Sequence, residues 1–366
     1  MSTAPSSRTP LSARGTNWTL IREKATAHIE IWRLDLFSYT GLVSIAGALL
    51  ASAHPSPWRL VGTWFAPSLG WVAAMYGGDY FDRDLDTVAK PQRPVPSGRV
   101  KPREALTGMI TCVLLGAAIA AALNPRNLFV VAAALALGVS YSKFFKARGI
   151  WGHLVRGGVT AMAFVHGTLA VHPSLEFRLL PVALVFWLHD SGSNVVGAIC
   201  DRDGDRAGGY RTFPVRYGDT AALWLMLAFD LGWLGLAVGY PFALPPPFHR
   251  LAYAFFLVAA VLMALVPGVM LTAAPRPIPR LTSLRAHEVI VVERLVLTAG
   301  FVAARSSPWL AIVLLVPSAG AWLIASVVMM RRSYEPSRVK PRDSVKNPGP
   351  GRSGHPGGQL PDTPTW

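Results

Sequence analysis

Charged residues are scarce in this sequence, cysteine is almost absent, and acidic side chains are few beside basic ones. Only 15% of the 366 residues are charged against 52% hydrophobic, which excludes the charged exterior of an ordinary soluble domain. The two cysteines, Cys112 and Cys200, sit in or beside apolar stretches, so neither a disulfide framework nor a paired-cysteine metal site is available. Both read as packing residues. The first forty residues lack a short apolar core followed by a small-residue cleavage site, so no removable signal peptide is expected.

What the sequence does have is long apolar runs. Stretches of about 17–25 apolar residues suffice to cross the hydrocarbon of a bilayer as helices. Ten are expected here, at 34–53, 59–77, 104–123, 126–142, 152–172, 178–198, 219–240, 249–273, 288–304 and 308–330. The ninth is interrupted by Glu293 and Arg294. The fold class is therefore all-α, a polytopic transmembrane helical bundle.

The formal charge of +15 raises the question of nucleic acid, and the placement of the basic residues answers it. With the N-terminus in the cytoplasm, the opposite loops hold only Arg59, Arg126, Arg178, Arg250 and Arg305, and Arg156 and Arg294 fall within spans. All other Lys and Arg residues lie on the inner side, the bias expected of a chain with both ends cytoplasmic. A nucleic-acid surface would gather them into one stripe instead. Residues 1–15 and 333–366, rich in Ser, Pro, Gly and Arg, are expected to be a disordered basic leader and tail around a membrane domain at 16–332. The tail's Arg331, Arg332, Arg338, Lys340 and Arg342 suit anionic lipid headgroups, and Pro245, Pro246 and Pro247 suit an outer loop.

Two inner segments carry dense carboxylates. In Gly78-Asp79-Tyr80-Phe81-Asp82-Arg83-Asp84-Leu85-Asp86, helical spacing stacks Asp79, Asp82 and Asp86 on one face. In Asp201-Arg202-Asp203-Gly204-Asp205-Arg206, Asp201 and Asp205 share a face. Each cluster is followed by a basic residue, glycine and Pro-Val, which suggests two related halves. Carboxylates so stacked repel one another unless a divalent cation sits among them. Mg²⁺ suits such a site because it takes a few carboxylates plus water and phosphate oxygens. Two clusters at one membrane depth would let Mg²⁺ ions grip a single diphosphate and neutralise it as it departs. A lone Asp at an inner helix end is usually just solvated, whereas ionisable pairs of clusters near the bilayer core tend to mark function.

These segments resemble the signatures of the UbiA superfamily of intramembrane prenyltransferases. The first runs from Asp79 through Arg93-Pro94-Val95-Pro96-Ser97-Gly98, and the second from Asp201 through Gly209 and Thr212-Phe213-Pro214-Val215. A third, Tyr141-Ser142-Lys143-Phe144-Phe145-Lys146-Ala147-Arg148-Gly149, resembles the Tyr/Lys segment between them. The likeness spans about 30–304 and implies a bundle, usually of nine helices, around a central cavity open sideways to lipid and capped by the aspartates. Nine to ten helices are thus expected. Carried over by position, Asp79, Asp82 and Asp86 would hold one Mg²⁺ and Asp201 and Asp205 another. Lys146 and Arg148 would contact diphosphate oxygens, with Tyr141 near the reacting end and Lys143 a rival to Lys146. Arg93 and Arg206, inside the motifs, join the expected substrate-binding set. One departure is Gly78, where the family usually has Asn.

Outside the motifs, His189, Asp190 and Asn194 are candidates for orienting an acceptor, with interhelical hydrogen bonding as the plainer alternative. His166, Asp230 and the Glu293–Arg294 pair read as interhelical or interfacial groups. The expected partners are a prenyl diphosphate, a small-molecule acceptor and membrane lipid. An aromatic quinone precursor is the leading acceptor. The alternatives are a tetrapyrrole or glycerol-phosphate lipid acceptor, a cyclase acting on the prenyl diphosphate alone, and a non-enzymatic cation-binding transporter or scaffold.

Overall fold

The computed structural model describes residues 13–242 and 248–326. Nearly all of the leader, the 333–366 tail with its basic cluster, and the Pro245–Pro247 loop lie outside those residues. Each of the ten apolar runs has become a helix, because a backbone in hydrocarbon must satisfy its own polar groups. They are α2 (Leu34–Ala51), α3 (Pro57–Phe81), α5 (Pro102–Leu123), α6 (Asn127–Ser140), α7 (Ile150–Val171), α8 (Leu180–Ala207), α9 (Phe213–Gly239), α10 (Arg250–Ala273), α11 (Arg280–Arg305) and α12 (Pro308–Ala325). Seven meet a strict test of length and apolarity for crossing a membrane, or eight if α2 forms one bent span with the helix before it. The chain is an integral, multi-pass membrane protein.

Two helices were not anticipated. The first, α1 (Ala13–Trp32), begins inside the expected leader and ends where Arg33 adopts φ 45°, a left-handed conformation that turns the chain into α2. It is pinned by polar contacts: Trp32 donates to Tyr76 at 2.8 Å, Lys24 pairs with Glu104 at 2.6 Å, and Arg99 pairs with Glu30 at 2.6 Å. The second, α4 (Arg83–Ala89), carries the end of the first aspartate motif. Trp58, Trp151 and Trp309, at the starts of α3, α7 and α12, are exposed, as suits indoles anchored at an interface.

Lipid tails offer no hydrophobic drive for helices to associate, so close backbone packing has to hold the bundle. Small residues provide it. A Cβ on Gly167 of α7 would lie 1.8 Å from the Ser44 carbonyl oxygen of α2, and one on Gly47 of α2 would lie 2.3 Å from the Phe164 oxygen of α7. One on Gly157 would meet the Trp187 oxygen of α8 at 2.3 Å. These neighbours are backbone and cannot swing aside. His166 and Ser44 add an interhelical hydrogen bond at 3.0 Å, as expected of His166, while Asp230 accepts from Trp233 within α9 at 3.0 Å.

The largest apolar core, with Phe164, Phe186, Trp233, Tyr253 and Phe301, fills the end of the bundle remote from the aspartates. Rings there meet at tilted angles, Phe186 to Phe301 at 5.4 Å and Tyr253 to Phe301 at 5.2 Å. Toward the aspartate end, smaller clusters around Ile199 and Tyr76 flank a cavity. Gly167→Ala should force α2 and α7 apart and lower stability by ~1–3 kcal/mol, the usual range for overpacking. Thermal unfolding of purified protein in detergent checks this, and an unchanged midpoint would contradict the packing described.

Candidate active site

The first motif ends α3. Asp82, at φ −89° and ψ 4°, separates α3 from α4, yet Asp82 N donates to Gly78 O and Asp86 N to Asp82 O, both at 2.8 Å. Helical register passes through the break, so Asp79, Asp82 and Asp86 keep to one side, while Asp84 faces out with its side chain 88% exposed. Asp79 and Asp86 are buried, and Arg93 lies against both, 2.6 Å from Asp86 and 3.6 Å from Asp79. Asp82 accepts from Lys146 at 2.7 Å through Oδ2.

The second motif closes α8 on the same end of the bundle. Lys90, just beyond α4, donates to Asp201 at 2.8 Å, which joins the two motifs directly. Asp205 is buried nearby. Arg202 turns away, bonded to Asp203 at 3.0 Å and to Asp219, so it braces the helix end. Burial alone would lower the Lys146 pKa, but the Asp82 carboxylate more than offsets this and the pKa is raised. Lys146 is therefore an ammonium throughout the physiological range.

Local backbone geometry decides which lysine serves the site. Residues Tyr141–Phe145 form a π-turn, with Lys146 N donating to Tyr141 O at 2.9 Å. A five-residue repeat brings Lys146 round over Tyr141, and both line the cavity. Lys143 instead points out over the Phe81 ring at 5.0 Å, and Arg148 lies against the Phe145 ring at 6.0 Å. Both are exposed, as is Arg206, so none of these three lines the cavity. Asp86 also stands back from it, behind Arg93. The rest of the expected set, Asp79, Asp82, Arg93, Tyr141, Lys146, Asn194, Asp201 and Asp205, shares its wall. Tyr141 approaches Asn194 at 3.4 Å.

The cavity has a volume of about 410 Å³, and its lining divides into two unlike sides. One is apolar, with Val113, Gly116, Val131, Ala134 and Leu135 of α5 and α6 on its wall. The other is polar, with Arg156, Asp190, His287 and Arg294 of α7, α8 and α11. Lys90, Arg156, His287 and Arg294 were not foreseen as cavity residues. Basic groups inside apolar spans carry a signal of their own, since hydrocarbon tolerates them only where they face a partner or a cavity. The Glu293–Arg294 pair is interhelical as expected, but splits: Glu293 binds His189 at 2.5 Å behind the wall, and Arg294 reaches Asp190 at 3.4 Å on it.

The carboxylates suit a hard divalent cation. Asp82 Oδ1 is enclosed without a hydrogen-bond partner among the described residues, which leaves a lone-pair site beside the cavity. Among the described residues no three acidic, His or Cys side chains converge into a complete cage. Such a sparse oxygen set matches an ion that keeps water and phosphate oxygens as its other ligands. A Cβ on Gly78 would meet nothing within 4 Å, so the wall has space there for a side chain.

The profile of the UbiA prenyltransferase family matches residues 40–280, and the chain belongs to that family. It is accordingly a membrane prenyltransferase, which sets aside the transporter or scaffold alternative. It is 33% identical over 241 residues to the digeranylgeranylglyceryl phosphate synthase of Ignicoccus hospitalis, covering 63% of this chain and 76% of that one. It is 30% identical over 254 residues to the digeranylgeranylglyceryl phosphate synthase of Korarchaeum cryptofilum, covering 69% and 86%. The fold resembles a UbiA homologue from Aeropyrum pernix, with a TM-score of 0.59, 20% identity and coverage of 75% of this chain and 97% of that one. It also resembles a UbiA homologue from Archaeoglobus fulgidus solved with GPP and Mg²⁺ bound, with a TM-score of 0.53, 15% identity and coverage of 84% and 99%.

The two lysines give a direct contrast. Lys146→Met should weaken prenyl diphosphate binding by on the order of tenfold or more, the usual effect of losing a charge-assisted hydrogen bond. Lys143→Met should leave binding within about twofold, as for a surface change. Equilibrium titration with geranylgeranyl diphosphate separates the two, and equal losses would contradict the π-turn assignment.

Proposed function

We propose that this prenyltransferase moves an isoprenoid chain from a prenyl diphosphate to the hydroxyl of a glycerol-phosphate lipid, with Mg²⁺ as its metal. The observation that carries the reading is the meeting of both aspartate motifs with Lys90, Arg93 and Lys146 on a cavity that has an apolar side. Support for Mg²⁺ comes from the carboxylates of Asp79, Asp82, Asp201 and Asp205 on the cavity wall and from the metal in the Archaeoglobus homologue. Its charge, when bound, would neutralise the departing diphosphate. Asp79, Asp82, Asp201 and Asp205 would hold it, and Asp86 would act through Arg93.

In this account Lys146 and Arg93 supply N–H donors to diphosphate oxygens, so negative charge is stabilised as the allylic carbon–oxygen bond breaks and its electron pair leaves with the diphosphate. The remaining allylic cation faces Trp71, Phe81 and Tyr141 on the cavity wall, whose ring faces favour positive charge. The apolar side of the cavity receives the chain and keeps water from the cation. The acceptor hydroxyl oxygen then bonds to the allylic carbon, and its proton passes to the released diphosphate.

For the acceptor, the names of the relatives favour a glycerol-phosphate lipid over the aromatic quinone precursor that led from the sequence. Removing one geranylgeranyl group from their named product leaves geranylgeranylglyceryl phosphate as the acceptor, and a geranylgeranyl diphosphate as the donor. The distribution of basic residues supports cytoplasmic ends and a cytoplasmic mouth.

Asp82→Asn and Asp205→Asn should each lower pyrophosphate release by about 100-fold or more, the scale of a lost electrostatic stabiliser, with thermal stability retained. The assay uses purified protein with geranylgeranyl diphosphate, geranylgeranylglyceryl phosphate and Mg²⁺. Unchanged turnover in both variants would rule out the proposed metal roles, and full pyrophosphate release without acceptor would point to a cyclase.

A further inference from the structure

The polar side of the cavity leaves guanidinium donors unused. Arg156 donates to Asp190 Oδ2 at 2.9 Å, Thr160 donates to the same oxygen at 2.8 Å, and Arg294 reaches Asp190 Oδ1 at 3.4 Å. Two guanidinium groups thus share one carboxylate. Glu293 gives its Oε2 to His189 behind the cavity wall, and its Oε1 is buried without a hydrogen-bond partner among the described residues. Arg294 is 3% exposed, and its Nε and Nη2 have no hydrogen-bond partner among the described residues. The Tyr39 ring lies 4.1 Å from its guanidinium carbon, which fixes the plane of the group while leaving its edge unpaired.

Leaving the donors of a buried, charged guanidinium unpaired is expensive, and a ligand acceptor would relieve that cost. A planar fork of donors matches a carboxylate or phosphate better than a neutral group. A prenyl tail of either substrate does not fit here: it would desolvate both arginines and return no hydrogen bond, whereas the α5–α6 side of the cavity is apolar. Along α8, Asp190 lies eleven residues from Asp201, which is about 16 Å of helix. That span leaves room for a diphosphate and its reacting carbon near Asp201, and for the phosphoglyceryl head of the acceptor near Asp190.

We propose that Arg294, with Arg156, binds an anionic group of the acceptor on this polar side of the cavity, apart from the site of the diphosphate. The assignment of that anion as a phosphate monoester rests on the glycerol-phosphate reading above. The alternative source of the same chemistry is the carboxylate of an aromatic acid.

The test measures dissociation constants on the full-length purified protein for geranylgeranylglyceryl phosphate, its dephosphorylated alcohol, 4-hydroxybenzoate and geranylgeranyl diphosphate. Arg294→Gln should weaken the phosphorylated lipid by on the order of 10- to 100-fold, the effect of losing hydrogen bonds to a charged group. Affinity for the alcohol and for geranylgeranyl diphosphate should hold, which also reports that the variant is folded. Arg156→Gln, at a side chain with solvent access, reads the same comparison if Arg294→Gln does not fold. Equal affinity of both folded variants for the phosphorylated lipid would overturn the site while leaving the glycerol-phosphate reading intact. Should wild-type protein bind 4-hydroxybenzoate instead, and lose it in Arg294→Gln, the site stands and the glycerol-phosphate reading fails.

Discussion

Countercharge at the mouth of the cavity is the constraint on which the rest of this structure depends. Five carboxylates from two separate motifs stand at one end of a membrane bundle, where charge is poorly solvated and like charges repel. Each cation that compensates them also ties distant parts of the chain: Lys90, following α4, to Asp201 on α8, and Lys146, following the π-turn, to Asp82 at the end of α3. Arg93 folds its own loop back onto Asp79 and Asp86. In the proposed mechanism the same groups that hold the aspartates together would donate to the diphosphate, so binding substrate and building the mouth would draw on one set of charges.

The division of the bundle follows from this. Apolar aromatic packing fills the end away from the aspartates, and glycine contacts such as Gly47 with the Phe164 oxygen set the helix spacing there. With the largest cluster at that end, the other encloses a chamber flanked by smaller clusters around Ile199 and Tyr76. Its walls differ because the helices differ: α5 and α6 bring small and branched apolar residues, while α7, α8 and α11 bring Arg156, Asp190 and Arg294. A substrate with an apolar tail and a charged head meets both kinds of surface in one cavity.

Much of this was legible in the sequence. The apolar runs are long enough that backbone satisfaction in lipid leaves only the helix, so all ten appeared, and carboxylate spacing placed Asp79, Asp82, Asp201 and Asp205 on a common site. What was not legible depends on backbone detail and on partners far apart in the chain. The π-turn that selects Lys146 over Lys143 is a local change of helical repeat that no residue spacing announces. Arg148 and Arg206 sit within motifs yet face outward, because proximity in sequence does not fix direction. Arg294 read as half of a pair with Glu293, but adjacent residues on a helix diverge by about 100°. Helix α1 was missed because its sequence mixes charge and apolar residues without a clear stripe, and it is held by specific contacts with Tyr76, Glu104 and Arg99.

The central claim is that both aspartate motifs act on one diphosphate. A structure of the protein with Mg²⁺ and a non-ionising thiolodiphosphate analogue of geranylgeranyl diphosphate tests it most directly. The account predicts a single diphosphate with metal-mediated contacts to Asp82 on one side and Asp205 on the other, and Lys146 bonded to its oxygens. A diphosphate held by one motif alone, or seated outside the mouth the two share, would contradict it.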